Sequence, residues 1–460
     1  MTDLGATLDA AGGGAPPPPQ TSEIGFILAV ARALHRYGTP AHRLEEAVEL
    51  VSARLGLDCE VFSTPTAIVM SFGEPAELRT RMLRAESTEL NMSKLEAVDE
   101  ITAKVADREL SPEEGLEELA RVTAAPPRFS PGVVTLAQSL ASGAMAVFFG
   151  GGGADVAAAA AIGLALGLLA RWAHRRRPAP PPPPPPPDAD ADAPPPGRPH
   201  RRSRGLPVIS PMPPPDGEPS GLSRVFELVA ALVAALTASL LAALWPAISA
   251  SLVTVASLIV LLPGLALTVA MTELATRNLI SGTARLMSAV IVLLELVVGV
   301  AIGEHLVARF LDIPRAVPTP LPPWTMWLSL AASALGVAIV LQSRWRSVGW
   351  ILLACVAGTL GSRLGAAWLG KDLGVVGGAF ALGVAANVYA RVLDRSSQTV
   401  IVPAALLLVP GSIGFQGMIS LIDRDTISGV DAMFAMFVVA TAIVAGLLLA
   451  NSVVSPRRLL

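Results

Sequence analysis

Charge is what this sequence has least of. Asp, Glu, Lys and Arg make up 15% of its 460 residues, against roughly 25% in an ordinary soluble domain. That deficit excludes a single soluble globular enzyme. A formal net charge of −3 argues against a nucleic-acid partner, which calls for a basic face. There are two cysteines, Cys59 and Cys355, far apart in unlike segments. They offer neither a disulfide framework nor a CxxC metal site. No HExxH, GxSxG, Walker A or GxGxxG pattern occurs, so no catalytic residue, metal or cofactor is expected. His35, His42, Asp58 and Cys59 lack metal-ligand spacing, and their region reads as a gating, docking or regulatory unit. The first 20 residues lack the basic and apolar regions of a signal peptide.

What is present is apolar residues clumped into runs of roughly 18–20 without a charge, long enough to span a bilayer. Ten such spans are read, at 132–149, 153–170, 225–245, 247–271, 284–302, 326–342, 348–368, 373–391, 400–421 and 432–451. Before them, Gly/Pro/Ala-rich residues 1–21 read as a disordered tail, and 22–127 as a small α+β soluble domain. Helices are predicted from Glu23 to Tyr37, from Pro40 to about Leu55 and from Asn91 to Val105, with another opened by Ser111-Pro112. Two strands flank Thr64-Pro65, and LRTRMLRA suggests a third. An insertion at 171–224 carries an arginine cluster and a Pro180–Pro187 run and reads as an extended spacer. Arginines concentrate in the loops on the N-terminal side of the membrane. The positive-inside rule then puts both termini in the cytoplasm, including the tail at 452–460.

LLPGLALTVAMTEL from Leu261 resembles LVPGSIGFQGMISL from Leu408, with Pro263 and Pro410 lying 147 positions apart. The flanking spans keep nearly that offset. The chain therefore reads as two membrane halves, 132–302 and 326–451, of five helices each. An odd number of spans inverts one half relative to the other, an architecture of secondary transporters. The expected fold is an α-helical polytopic membrane protein of about ten transmembrane helices in two inverted five-helix repeats.

Pro263-Gly264 and Pro410-Gly411 break their spans, and a half-helix N-terminus there suits a carboxylate. With Thr268, Asn387, Ser412 and Gln416 they form the expected substrate site; Gln138 and Ser142 are further polar positions inside spans, and each of these residues singly serves as well to join helices. Glu295, mid-span in RLMSAVIVLLELVVGVAIG, is a costly carboxylate and a proton-coupling candidate. Asp155, after the Gly150–Gly153 run, is a second. Arg363 reads as snorkelling to the membrane surface.

RYGTPAHRLEEAVELVSARLGLDCEVFSTPTAIVMSF, the FFGGGGADV stretch and the two Pro-Gly segments together resemble the threonine/serine exporter family. The resemblance covers about 23–451 apart from the insertion. It implies a ten-helix exporter of L-threonine and L-serine across the inner membrane, driven by the proton-motive force. Its pattern falls on Thr64, Pro65, Thr66, Ser71, Asp155, Pro263, Gly264, Gly282, Arg285, Pro410 and Gly411. Glu295 matches no motif and rests on position alone. The partners expected are a small amino acid, protons and the lipid bilayer, with no nucleic acid; a homo-oligomer is compatible with the sequence but marked by no motif. The alternatives are export of a dipeptide or organic acid, or a membrane-anchored hydrolase or regulatory protein.

Overall fold

The computed structural model describes residues 21–73, 78–84, 90–175, 225–314, 316–408, 410–422 and 425–455. The tail at 1–20, most of the Arg/Pro-rich insertion and the last five residues lie outside the described residues.

The soluble unit begins with α1 (Thr21–Arg36) and α2 (Ala41–Arg54), followed by β1 (Cys59–Thr64), β2 (Ala67–Phe72) and β3 (Arg79–Arg84). The strands form one antiparallel sheet in the order β1-β2-β3. Thr64 pairs with Ala67 across a tight turn, where the Thr64 hydroxyl donates to the Ala67 carbonyl at 3.0 Å. Alternation sets the buried face: Ile68, Met70 and Phe72 point inward. α3 (Met92–Ala106) starts at Asn91, whose side chain accepts from the Lys94 N–H. α4 (Pro112–Ala124) starts with a capping box between Ser111 and Glu114.

The membrane part follows as α5 (Pro131–Phe148), α6 (Gly153–Arg175), α7 (Phe226–Leu244), α8 (Ala250–Ser257), α9 (Gly264–Ala275) and α10 (Leu279–Ala308). The second run is α11 (Thr325–Val340), α12 (Trp345–Leu369), α13 (Val375–Leu393), α14 (Gln398–Ala405), a 3₁₀ turn at Leu406–Leu408, α15 (Pro410–Ile422) and α16 (Thr426–Val453). Each run thus carries one interrupted segment, α8–α9 and α14–α15, in the same place. α7 packs on α10 as α13 packs on α16, and α9 on α10 as α15 on α16.

Among the described residues, 8 segments are long and apolar enough to cross a membrane. Two of the ten expected spans differ. The fourth is divided at the Leu258–Pro263 turn, and the sixth forms the 16-residue α11, about 24 Å long. Packing follows membrane rules, with small residues inside and large ones outside. On α7, Ala230, Ala231, Ala234, Ala235 and Ala238 are fully buried while Leu240 and Leu244 are exposed. On α10, a Cβ at Gly303 would meet the Leu232 carbonyl at 3.0 Å, and one at Gly299 would collide with the Leu228 carbonyl.

The soluble unit is seated on the membrane helices. Its core of Phe26, Leu34, Val48 and Met70 runs on into Leu341 and Val402. The Met92 N–H donates to the Leu341 carbonyl at 2.9 Å, and the Phe129 N–H to Gln342 Oε1 at 2.8 Å. Glu96 is 1% exposed and pairs with Arg344 at 3.3 Å and with Arg395. Glu100 takes the same two arginines at 2.8 and 2.5 Å. Burial works against the charge on Glu100, but the hydrogen bond and charge of Arg344, with Arg395 beside it, hold its carboxyl below the ordinary range. Removing one partner of a buried ion cluster leaves the others uncompensated. E96Q should therefore destabilise the protein by about 3 kcal/mol, read as a lower thermal midpoint in detergent. An unchanged midpoint would remove this quartet from the docking energetics.

Candidate functional site

Proline sets both helix breaks. Pro263 has no N–H to continue α8 and takes φ −78°, ψ 38° as the N-cap of α9. α15 begins at Pro410. The two breaks meet in space: a Cβ on Gly411 would lie 3.0 Å from the Gly264 amide nitrogen and 3.1 Å from its Cα. Two backbones touch there, which only a residue without a side chain allows. Each glycine lies in the first turn of its helix, so the positive ends of α9 and α15 converge at this crossing. Ser257, which closes α8, has its carbonyl bonded by the Ser142 hydroxyl at 3.3 Å. A small apolar cavity of about 60 Å³ lies against the breaks, lined by Ile259, Val260, Leu406 and Leu407 among others.

A larger cavity, about 250 Å³, opens between the soluble unit and the membrane helices. Its membrane wall carries Thr268, Thr272 and Thr276 from α9 with Gln398 and Asn451. Its other wall is the start of α2, with His42, Arg43 and Glu46. The threonines recur every fourth residue and so share a face. Their hydroxyls bond back to the Gly264, Thr268 and Thr272 carbonyls at 2.8–3.0 Å. Since Leu265 also lines the cavity, it reaches the first turn of α9 beside the Pro-Gly crossing.

The seam between these walls is held by a carboxylate that sequence reading passed over. Glu273 is fully buried. It accepts the Ala41 N–H of α2 at 2.9 Å, and Arg285 of α10 at 3.1 and 3.3 Å. One acid thus ties the soluble unit to two membrane helices. The available signal was that Glu273 is the sole acid in LLPGLALTVAMTELATRNLISGTARL. Gly282, also in this stretch, lets α10 lie against Leu274 and the Ala270 carbonyl of α9.

The other predicted positions divide. Pro263, Gly264, Thr268 and Gly411 come together. Ser412 is buried one residue on, whereas Gln416 is exposed. Asn387 lies elsewhere: its amide donates to Asn451 Oδ1 at 2.8 Å and the Val454 carbonyl at 2.7 Å, fastening the end of α16. Gln138 is buried where α5 faces Gly167 of α6. Asp155 is 1% exposed and accepts the Gly152 and Ser249 N–H groups at 2.9 and 2.8 Å, capping α6 and joining it to the start of α8. Glu295 is central in its apolar run. α10 is 30 residues long, and its Gly299 meets Leu228 and Ala231. One turn earlier, Glu295 stands level with the first turn of α7, within electrostatic reach of Glu227. Arg363 is exposed, its guanidinium 5.8 Å from the Trp327 ring centre.

In the soluble unit, His35 Nε2 is bonded to the Pro65 carbonyl at 3.1 Å. Burial pushes the Cys59 thiol up to about 11, so it is no thiolate at neutral pH. Among the described residues no group of three or more His, Cys, Asp or Glu is placed to hold a metal. Burial, with Arg43 adding to it and Glu273 opposing, lowers His42 to about 4. His42 is therefore neutral in the folded protein, while its unfolded counterpart takes up a proton near pH 6.5. Stability from this group is complete above pH 6.5 and is lost as pH falls toward 4, by about 3 kcal/mol in total. Thermal midpoints measured from pH 7 to 4 should fall less steeply for H42N than for wild type; parallel curves would refute the assignment.

Two family models match the chain. One, described as a threonine/serine exporter, covers residues 25–180 and 220–307, and the second, of the same description, covers 326–453. The curated relatives include pheromone-regulated membrane protein 10 of Candida glabrata, 22% identical over 404 residues, and of Saccharomyces cerevisiae, 24% identical over 403 residues. The alignments take in 85% of this chain in both cases, and 45% and 46% of the relatives. The chain thus spans less than half the length of these fungal proteins. No solved structure matches it. With one model alone spanning more than half of its residues, the chain belongs to the threonine/serine exporter family.

Proposed function

We propose that this protein exports small hydroxylated amino acids, L-threonine and L-serine, by alternating access of two inverted halves. The observation that carries this reading is the contact between Gly264 and Gly411. Two interrupted helices, one from each half, bring their N-terminal ends together, the arrangement by which secondary transporters hold a carboxylate within the membrane. The substrate carboxylate sits at the first turns of α9 and α15, with Pro263, Pro410, Thr268 and Ser412 shaping the site. Family membership supports export as the direction.

Coupling to the proton-motive force is assigned to Glu295. It is a carboxylate within an apolar membrane helix, the kind of residue that carries protons in transporters. Asp155 is left out of this role, since backbone donors already engage both of its oxygens. The protein sits in the inner membrane with both termini in the cytoplasm, which the distribution of arginines supports.

Cells loaded with a threonine-containing dipeptide test the reading. Overexpression should accelerate threonine efflux in a protonophore-sensitive way relative to a strain lacking the gene. Unchanged efflux from an inserted protein would remove threonine as substrate, and relief by a competing dipeptide or organic acid would name the replacement. G411V drives a branched side chain into the Gly264 backbone and should lower efflux at least about fivefold, the cost of overpacking by about 1–3 kcal/mol. E295Q should still exchange substrate but no longer respond to a pH gradient. Wild-type gradient dependence in E295Q would sink that assignment.

A further inference from the structure

The sheet of the soluble unit ends in an open edge. Among the described residues β3 pairs with β2 and with no other strand, so its outward N–H and C=O groups are left for another chain segment. Its side chains are bare as well: Arg79, Arg81 and Arg84 are exposed, and Met82 is 70% exposed. None of the three guanidinium groups makes an ion pair or hydrogen bond among the described residues. The register sorts these residues by face. Arg79 and Arg81 lie opposite Phe72 and Met70, on the face that is buried at β2 and open at β3. Met82 lies opposite Val69, which in turn lies opposite Phe62, so the other face carries an apolar row that runs out to the edge.

An edge of this kind selects its neighbour. An added strand presents alternate side chains to the two faces. It therefore needs acids at every second position, over Arg79 and Arg81, with small apolar residues between them, beside Met82. A second copy of β3 fails, since it brings arginine against arginine. The insertion after α6 contains a stretch with the required pattern: residues 188–193 read Asp-Ala-Asp-Ala-Asp-Ala. Pro187 and Pro194 bound it, and proline cannot donate to a ladder, so the stretch free to pair matches the 6 residues of β3. Reach allows it. A Cβ on Gly132 would lie 3.8 Å from Arg171 Nη1, so the end of α6 stands beside the start of α5, on the side of the soluble unit. The stretch from Arg175 to Asp188 spans about 40 Å when extended as polyproline, against a radius of gyration of about 13 Å for a domain of this size.

We propose that residues 188–193 dock on β3 as a further strand of the sheet, with Asp188, Asp190 and Asp192 over Arg79 and Arg81 and the alanines beside Met82. The carboxylates and guanidinium groups supply charge-assisted contacts, while alanine and aspartate contribute little strand propensity of their own. The pairing therefore depends on charge and weakens with salt. It covers an edge otherwise open to other chains, and it fastens the link between α6 and α7 to the soluble unit. The inference is independent of what the protein transports.

The test is hydrogen exchange of β3 in the full chain, held in nanodiscs of phosphatidylcholine, with β1 and β2 as the folding control. In wild type the β3 amides that do not bond to β2 should exchange at least about tenfold more slowly than in a variant lacking residues 188–193, because the docked strand accepts from them. D188K/D190K/D192K should lose that protection to the same extent, and so should R79E/R81E. Combining the two sets restores opposite charge and should return exchange to within about twofold of wild type, a coupling that a general loss of folding does not produce. Added salt should speed exchange in wild type and leave the deletion variant unchanged. Equal exchange in wild type and the deletion variant overturns the proposal. So does protection that arises only with added phosphatidylglycerol, which would make a lipid surface the partner, or only as protein concentration rises, which would make it a second copy.

Discussion

Two chain segments that cannot remain helical are pressed together at Gly264 and Gly411, and most of the membrane architecture follows from that contact. Proline removes the amide that would continue each helix, so carbonyls and amides are released inside an apolar medium where they need partners. The Gly264 N–H turns to the Leu262 carbonyl at 2.8 Å, and Ser142 bonds the Ser257 carbonyl. Such backbone is tolerated at membrane depth only inside protein. The long helices α10 and α16, each packed on a broken segment and on a small-residue helix, supply that enclosure.

The soluble unit shares this economy of contacts. Its hydrophobic core does not end at its own surface but takes in Leu341 and Val402 from the membrane side. Two clusters of opposite charge hold the seam: Glu96 and Glu100 on Arg344 and Arg395, and Glu273 on Arg285 and the Ala41 amide. The first fastens it to loops of the second half and the second to helices of the first. The unit is thereby attached to both runs of membrane helices.

Much of this was legible in the residues. The apolar runs, the strands flanking Thr64-Pro65, the helix start at Ser111-Pro112 and the paired Pro-Gly motifs are all local signals, carried by neighbours in the chain. What the residues alone did not show was set by distance along the sequence. The bond from the Asn387 amide to Asn451 joins helices 64 positions apart. Nothing local indicates that the start of α2 closes a cavity.

Hydrophobic length, small-residue patterning and two proline breaks determined that this chain is a helical membrane protein with interrupted helices, because those properties act through backbone chemistry and solvent transfer at each residue. Tertiary structure alone decided that the two breaks touch, that Glu273 joins the soluble unit to α9 and α10, and that a charged face of α2 looks onto the threonines. These relations join residues some 150–230 positions apart, and only the folded packing sets which of them meet.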